Sequence, residues 1–264
     1  MKKLVLILCA ALLTVGAASA QKKKAAAKKA ATTTATATAK GSNAEEGKKW
    51  YDAERYDQAR AYLKKAVAEG DMDSKVRLAA IIYNQDMDTD QANAMFDECI
   101  EKGSAFALER KGFCTLQSGW DTPANRRASL DLIAKASDMG YADASADLFK
   151  VYQEGLVNYA DHEVIVEKDE AKALEFAKKG LEQGSPVCKA FVGMWTYEGT
   201  NGYAKDEAAG IKLMEEADQA SRRFFACDCL EPAKVLCNYY KAHGQAAKAA
   251  PIMALLKKYH PTEI

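Results

Sequence analysis

From residue 44 onward, small and large apolar residues recur at steps of four, three and four. These steps keep side chains on one face of an α-helix. The first copy is Ala59, Leu63, Ala66 and Gly70, and the second is Ala92, Phe96, Cys99 and Gly103. Ser129, Ile133, Ala136 and Gly140 follow, then Ala173, Ala177, Gly180 and Gly184. A fifth copy, Gly210, Met214 and Ala217, has Ser221 in the last place; a degenerate sixth is Ala249, Met253, Leu256 and His260. The small residues let a neighbouring helix come close and the larger one fills the gap. A Gly just past the last turn takes the left-handed conformation that ends a helix.

A shorter pattern precedes each copy: a residue, often small, and an aromatic or Thr three later. The pairs are Gly47/Trp50, Ala80/Tyr83, Gly112/Thr115, Phe149/Tyr152, Gly193/Thr196 and Cys237/Tyr240. Each unit therefore reads as helix A, a turn and helix B. The step from the first residue of the pair to the opening residue of helix B is 12, 12, 17, 24, 17 and 12 residues, so the middle three units carry insertions. Each helix pair leaves an apolar face that only the next pair can cover, which predicts a stack of serial units.

These residues resemble the tetratricopeptide superfamily, and the longer middle units are similar to its Sel-one-like branch. The tight units, Gly47, Trp50, Ala59, Leu63, Ala66 and Ala80, Tyr83, Ala92, Phe96, match the small–aromatic–small–large–small order of the former. Leu148, Tyr152, Gly155, Asp169, Lys172, Ala173 and Gly184, and then Val192, Gly193, Gly199, Asp206 and Gly210, are similar to the latter. Thr115 and Thr196 stand where the family prefers Tyr, and Phe149 where it prefers Gly. The resemblance covers about residues 44 to 260 and implies an all-α, right-handed superhelical solenoid of about six antiparallel helix pairs. It also implies that peptides or protein surfaces bind on the concave side.

With helix A lining that side, one row falls one and four residues after the first residue of each pair. It names Lys48, Tyr51, Ile81, Asn84, Phe113, Leu116, Lys150, Gln153, Met194, Tyr197, Asn238 and Lys241. Ile81, Phe113 and Leu116 also suit simple packing against the next helix. Tyr51, Asn84, Gln153, Tyr197 and Lys241 are the expected partner-binding residues, a mixture suited to another protein's segment. The longest insertion, 156–170, holds Val164, Ile165 and Val166; packing across its own hairpin and an edge for a partner are both open readings.

Composition changes the picture at the N-terminus. Lys2 and Lys3, the apolar stretch Leu4 to Leu13 and the small residues Ala18-Ser19-Ala20 have the order of a secretory signal peptide over 1–20. Export, to the periplasm or outside the cell, is the expectation. Residues 21–43 form a Lys/Ala/Thr-rich linker that cannot bury enough surface to order itself. Its lysines, Lys22, Lys23, Lys24, Lys28, Lys29 and Lys40, offer a weak contact to an anionic envelope component. Of 37 basic residues, these six and Lys2 and Lys3 leave 29 against 37 acidic ones, a formal charge of −8 for residues 44–264. An acidic body of this kind argues against nucleic acid as the partner.

Six cysteines follow Cys9. Cys99 and Cys114, on neighbouring units, form the expected disulfide, with Cys188 and the Cys227/Cys229 region as a second pairing. Small buried thiols are the competing reading. Cys227, Cys229, Cys237 and His243 match no common zinc spacing, so no metal and no cofactor is expected. His162, His243 and His260 have no nucleophile or acid partner in sequence, and no catalytic residue is assigned. The expected function is a protein-interaction scaffold or adaptor of the bacterial cell envelope, not an enzyme. A cell-wall enzyme or enzyme subunit, and a structural tether, are the alternatives. Oligomeric state is not set by the sequence.

Overall fold

The structure, a computed structural model, describes residues 42–119, 121–158 and 162–264. The leader (1–20) and all but the end of the Lys-rich linker (21–43) lie outside the described residues. The described chain opens on a capping box: Ser42 Oγ accepts from the Glu45 amide at 3.2 Å while Glu45 accepts from the Ser42 amide at 2.8 Å. It forms thirteen helices: α1 (Asn43–Asp52), α2 (Tyr56–Ala68), α3 (Met72–Ile81), α4 (Thr89–Glu101), α5 (Ala105–Gln117), α6 (Pro123–Asp138) and α7 (Ala142–Glu154) come first. A two-stranded antiparallel hairpin, β1 (Leu156–Val157) and β2 (Val164–Val166), precedes α8 (Glu170–Glu182). Then come α9 (Pro186–Glu198), α10 (Glu207–Ala220), α11 (Arg222–Asp228), α12 (Leu230–Ala242) and α13 (Ala246–Tyr259).

Twelve of the thirteen make the six expected pairs: α1/α2, α3/α4, α5/α6, α7/α8, α9/α10 and α12/α13, each packed within itself and against the next. The buried apolar residues divide into three successive clusters, each bridging neighbouring units along the chain. That is the solenoid arrangement, in which every unit covers its neighbour. Ala59, Leu63, Ala66, Ala92, Phe96, Ile133, Ala136, Ala177 and Met214 are fully enclosed, as the recurring pattern requires. In the degenerate sixth copy the core position belongs to Ile252, while Met253 is only half-buried.

The small residues set how closely helices cross. A Cβ on Gly210 would lie 2.5 Å from the Tyr197 amide nitrogen and 2.6 Å from the Gly193 carbonyl oxygen, so α9 and α10 meet backbone to backbone. The terminator Gly70, Gly103, Gly140 and Gly184 have φ near +84 to +90°, with open space around them. In each case the amide after the Gly returns to the carbonyl of the third residue of the pattern: Asp71 to Ala66 (2.9 Å), Ser104 to Cys99 (3.0 Å), Tyr141 to Ala136 (3.0 Å) and Ser185 to Gly180 (2.8 Å). Three of those following residues, Asp71, Ser104 and Ser185, then cap the next helix A. Ser221 stands in the fifth terminator place at φ −164°, so the chain leaves α10 extended instead of reversing. The result is α11, an element outside the repeat.

The expected disulfide is corrected. Cys99 Sγ faces the Met72 carbonyl at the start of α3, whereas Cys114 Sγ faces Asn84, beyond its end. Twelve residues of helix separate those two neighbours, roughly 18 Å at the helical rise. Both thiols are free and buried, as are Cys188, Cys229 and Cys237; Cys227 is half-buried. The second expected pairing is likewise not formed: Cys188 packs on Gly180, where a Cβ would meet its sulfur at 2.4 Å. Within the 156–170 insertion, Ile165 and Val166 join the core beside α6, while Val157 and Val164 are exposed.

Glycine positions separate two kinds of cost. Gly210→Ala is expected to lose about 3 kcal/mol through backbone overpacking. Gly184→Ala should lose only about 1 kcal/mol through its left-handed φ. Urea unfolding followed by circular dichroism measures both, and equal losses would contradict the packing account.

Candidate functional site

Consecutive helices A touch one another, α1 with α3, α3 with α5, α5 with α7, α7 with α9 and α9 with α12; consecutive helices B make no comparable contact among the described residues. The layer whose members crowd together lies inside the curve. Helix A therefore forms the inner wall, where the row Tyr51, Asn84, Gln153, Tyr197 and Lys241 stands.

The five residues differ in surroundings. Asn84 and Lys241 are exposed, and Tyr51, Gln153 and Tyr197 are half-buried. Asn84 Nδ2 donates to the Cys114 sulfur at 3.5 Å, and burial raises the Tyr51 hydroxyl against the opposing Arg110 charge. Tyr197 meets Tyr239 edge-on at 6.2 Å, and Tyr239 lies 4.1 Å from the His243 ring, an aromatic patch on the last two units. Gln153 and Lys241 stand apart from both groups on α7 and α12. Ile81, Phe113 and Leu116 are buried packing residues, so their place in the row is structural.

The wall has a floor that the sequence pattern did not reveal. Glu109, Arg110 and Asp147 are at least 96% buried. Arg110 donates through Nε to Glu109 at 2.5 Å and also through Nη2, stacks over Phe113 at 4.9 Å, and lies 3.9 Å from Asp147 Oδ2. Arg77 covers the Phe106 ring at 4.9 Å. Adjacent residues on a helix ordinarily diverge to different faces. Here α5 is enclosed by α3, α4, α6 and α7, so both faces are interior and Glu109 and Arg110 must satisfy each other.

Desolvation weakens four aspartic acids, Asp52, Asp143, Asp147 and Asp228. Burial, reinforced by the Glu109 charge, pushes the Asp143 carboxyl up to about 6 and raises Asp147 as well. Asp228 on α11 is raised by burial to about 6 despite the opposing Lys150 charge. Asp52, at the end of α1, is raised by burial against its partner Lys48. Among the described residues no group of three His, Cys, Asp or Glu is placed to hold a metal ion. None of the helices described there is long and apolar enough to cross a membrane.

α11 ties the first unit to the later ones. Arg223 of α11 donates through Nη1 to the Asp52 carbonyl, through Nη2 to Glu54 at 2.8 Å and through Nε to the Tyr259 hydroxyl at 2.8 Å. Lys150 of α7 donates to the Asp228 carbonyl at 2.9 Å. Phe225 and Ala226 are enclosed, and α11 also touches α9 and α12. This segment packs chiefly on α13 and α10 and also reaches helix A of the first, fourth, fifth and sixth units.

No protein-family model matches the chain, and no curated protein matches it. Among solved structures the chain is similar to a Sel1 repeat protein from Oxalobacter formigenes, at 20% identity over 83% of this chain and 88% of that one, with a TM-score of 0.47. It is also similar to a protective antigen of uropathogenic Escherichia coli strains displaying an SLR fold, at 18% identity over 82% of this chain and 44% of that one, TM-score 0.47. A Sel1 repeat protein from Klebsiella pneumoniae subsp. pneumoniae matches at 21% identity over 66% of this chain and 84% of that one, TM-score 0.39. The helical-repeat architecture stands on the chain's own helix pairing.

Two outcomes follow from the floor. Arg110→Met is expected to destabilise by about 4 kcal/mol, because it leaves the Glu109 carboxylate buried and alone. Glu109→Gln combined with Arg110→Met should recover much of that loss in urea unfolding. Asp143 and Asp228 have folded pKa values above their unfolded ones, so they stabilise at low pH and that stability is lost as pH rises through about 6. The urea midpoint is therefore expected to fall between pH 5 and pH 7.5, and less steeply in Asp143→Asn.

Proposed function

We propose that this protein is an interaction scaffold of the bacterial cell envelope, which binds a protein or peptide along its helix A wall. The observation that carries the reading is the division of labour between the two helix sets. The recurring helix B positions are consumed by the core. The inner wall keeps Asn84 and Lys241 exposed and Gln153 half-buried, and its Tyr51 and Tyr197 rest against the core while staying partly accessible. Tyrosines with polar neighbours above an enclosed ionic floor supply large contact area at small entropic cost, the composition that protein interfaces favour. The envelope location rests on the signal-peptide order of residues 1–20, and the Lys-rich linker provides a salt-sensitive contact to anionic envelope components.

Binding is the activity proposed, without catalysis. Three charged pairs at the wall are committed to one another: Glu109 to Arg110, Lys48 to Asp52, Arg223 to Glu54.

The test is affinity capture from envelope extract with the mature chain and with Tyr197→Ala combined with Lys241→Glu. The defined partner is expected to weaken about tenfold, as for loss of one well-packed contact, with an unchanged urea midpoint. Equal capture by both, or depletion of a wall polymer in place of a protein, would overturn the reading.

A further inference from the structure

On α7, Asp143, Asp147, Lys150 and Gln153 follow one another at steps of four, three and three, which places all four on one helical face. That face is the one the Gln153 row presents to the inner wall. Asp143 is half-buried there and accepts from the Tyr141 hydroxyl at 3.3 Å. One turn along, Asp147 is 96% buried, and its Oδ2 atom has no hydrogen-bond partner among the described residues. The Arg110 guanidinium stands 3.9 Å from that oxygen but gives its Nε and Nη2 donors to Glu109. Other cations of the wall are engaged elsewhere: Lys48 with Asp52, Lys150 with the Asp228 carbonyl, and Arg77 over the Phe106 ring.

Three carboxyls, those of Glu109, Asp143 and Asp147, are therefore gathered around one guanidinium. Burial and the Glu109 charge raise both aspartates, so a proton holds the place that a second cation would take. A buried oxygen left without a donor carries a desolvation penalty that an incoming N–H would relieve. Water reaches Asp143 and hardly reaches Asp147, an order of depth that suits a long side chain charged at its tip. The formal charge of −8 over residues 44–264 favours a basic ligand on approach.

We propose that Asp143 and Asp147 form the seat for a basic side chain, arginine or lysine, carried by the protein segment that binds the helix A wall. This rests on the protein-binding reading above and specifies the chemistry of the partner. On entry the cation replaces a bound proton, which leaves to water, and the Asp147 oxygen gains a donor. The charged and titratable groups facing the seat are Glu109 and Arg110 of α5, Lys48 of α1, Tyr141 ahead of α7 and the Cys188 thiol of α9. The Asp143 carboxylate forms as pH rises through about 6, so affinity for the cation should rise about tenfold between pH 5 and pH 7.5.

The probes are Nα-acetyl-arginine amide and Nα-acetyl-lysine amide, with Nα-acetyl-citrulline amide as the uncharged counterpart. Carbon-13 shifts of the aspartate carboxyls are followed in the mature chain as each is added. At least one cationic probe is expected to move the Asp143 and Asp147 carboxyls saturably, and the tighter of the two identifies the side chain. Asp143→Asn should weaken that probe about tenfold, as for the loss of one charge-assisted hydrogen bond. The comparison of arginine and lysine with citrulline needs no variant, so it stands even where a substitution impairs folding. No saturable shift, an equal response to citrulline, or an affinity that stays flat between pH 5 and pH 7.5 would overturn the seat. A zero-length carbodiimide cross-link from Asp143 to a lysine of residues 21–43 would assign the seat to the chain's own linker and overturn the partner assignment. Failure of the probes with capture still sensitive to Tyr197 and Lys241 would overturn the seat alone and leave the binding role standing.

Discussion

Helices in this protein can cross closely only where one of them gives up its side chain. Gly193 and Gly210 bring α9 and α10 into backbone contact, Gly47 receives Leu63, and Gly112 receives Ile133. A helix pair so joined is still apolar on its outer faces, so its stability depends on the pair before and the pair after. Serial stacking follows from that dependence, and curvature follows from the tighter packing of the helix A layer. The inner wall, and whatever it binds, is a consequence of small residues placed four and three apart.

Curvature also encloses charge. On a lone amphipathic helix Glu109 and Arg110 would reach water; in α5, covered on all sides, neither can. A buried pair of this kind adds little net stability compared with apolar packing, but the loss of either partner strands a charge. The acids raised toward neutral pH, Asp143 and Asp228, arise from the same enclosure. They lie along the wall and on α11, so the electrostatics of the groove are tied to its shape.

α11 joins the first unit to the fourth, fifth and sixth. Its anchors come from positions 169 and 171 residues distant in sequence, Glu54 and Asp52.

The local pattern determined the helix pairs, their order, their left-handed Gly stops and the burial of Ala59, Leu63, Phe96, Ile133 and Met214, because each depends on neighbours within about two helical turns. The helix A row was legible as a row; Asn84 and Lys241 are exposed in it, whereas Tyr51, Gln153 and Tyr197 are half-buried. Tertiary structure alone decided that Ile81, Phe113 and Leu116 are core, that Glu109, Arg110 and Asp147 form an interior cluster, and that Cys99 and Cys114 face opposite ends of α3. It also decided that Arg223 meets Asp52 and Glu54. Periodicity reports which side of a helix is apolar; it holds no information on how many sides the neighbours cover, or on which distant segment the curve will bring across.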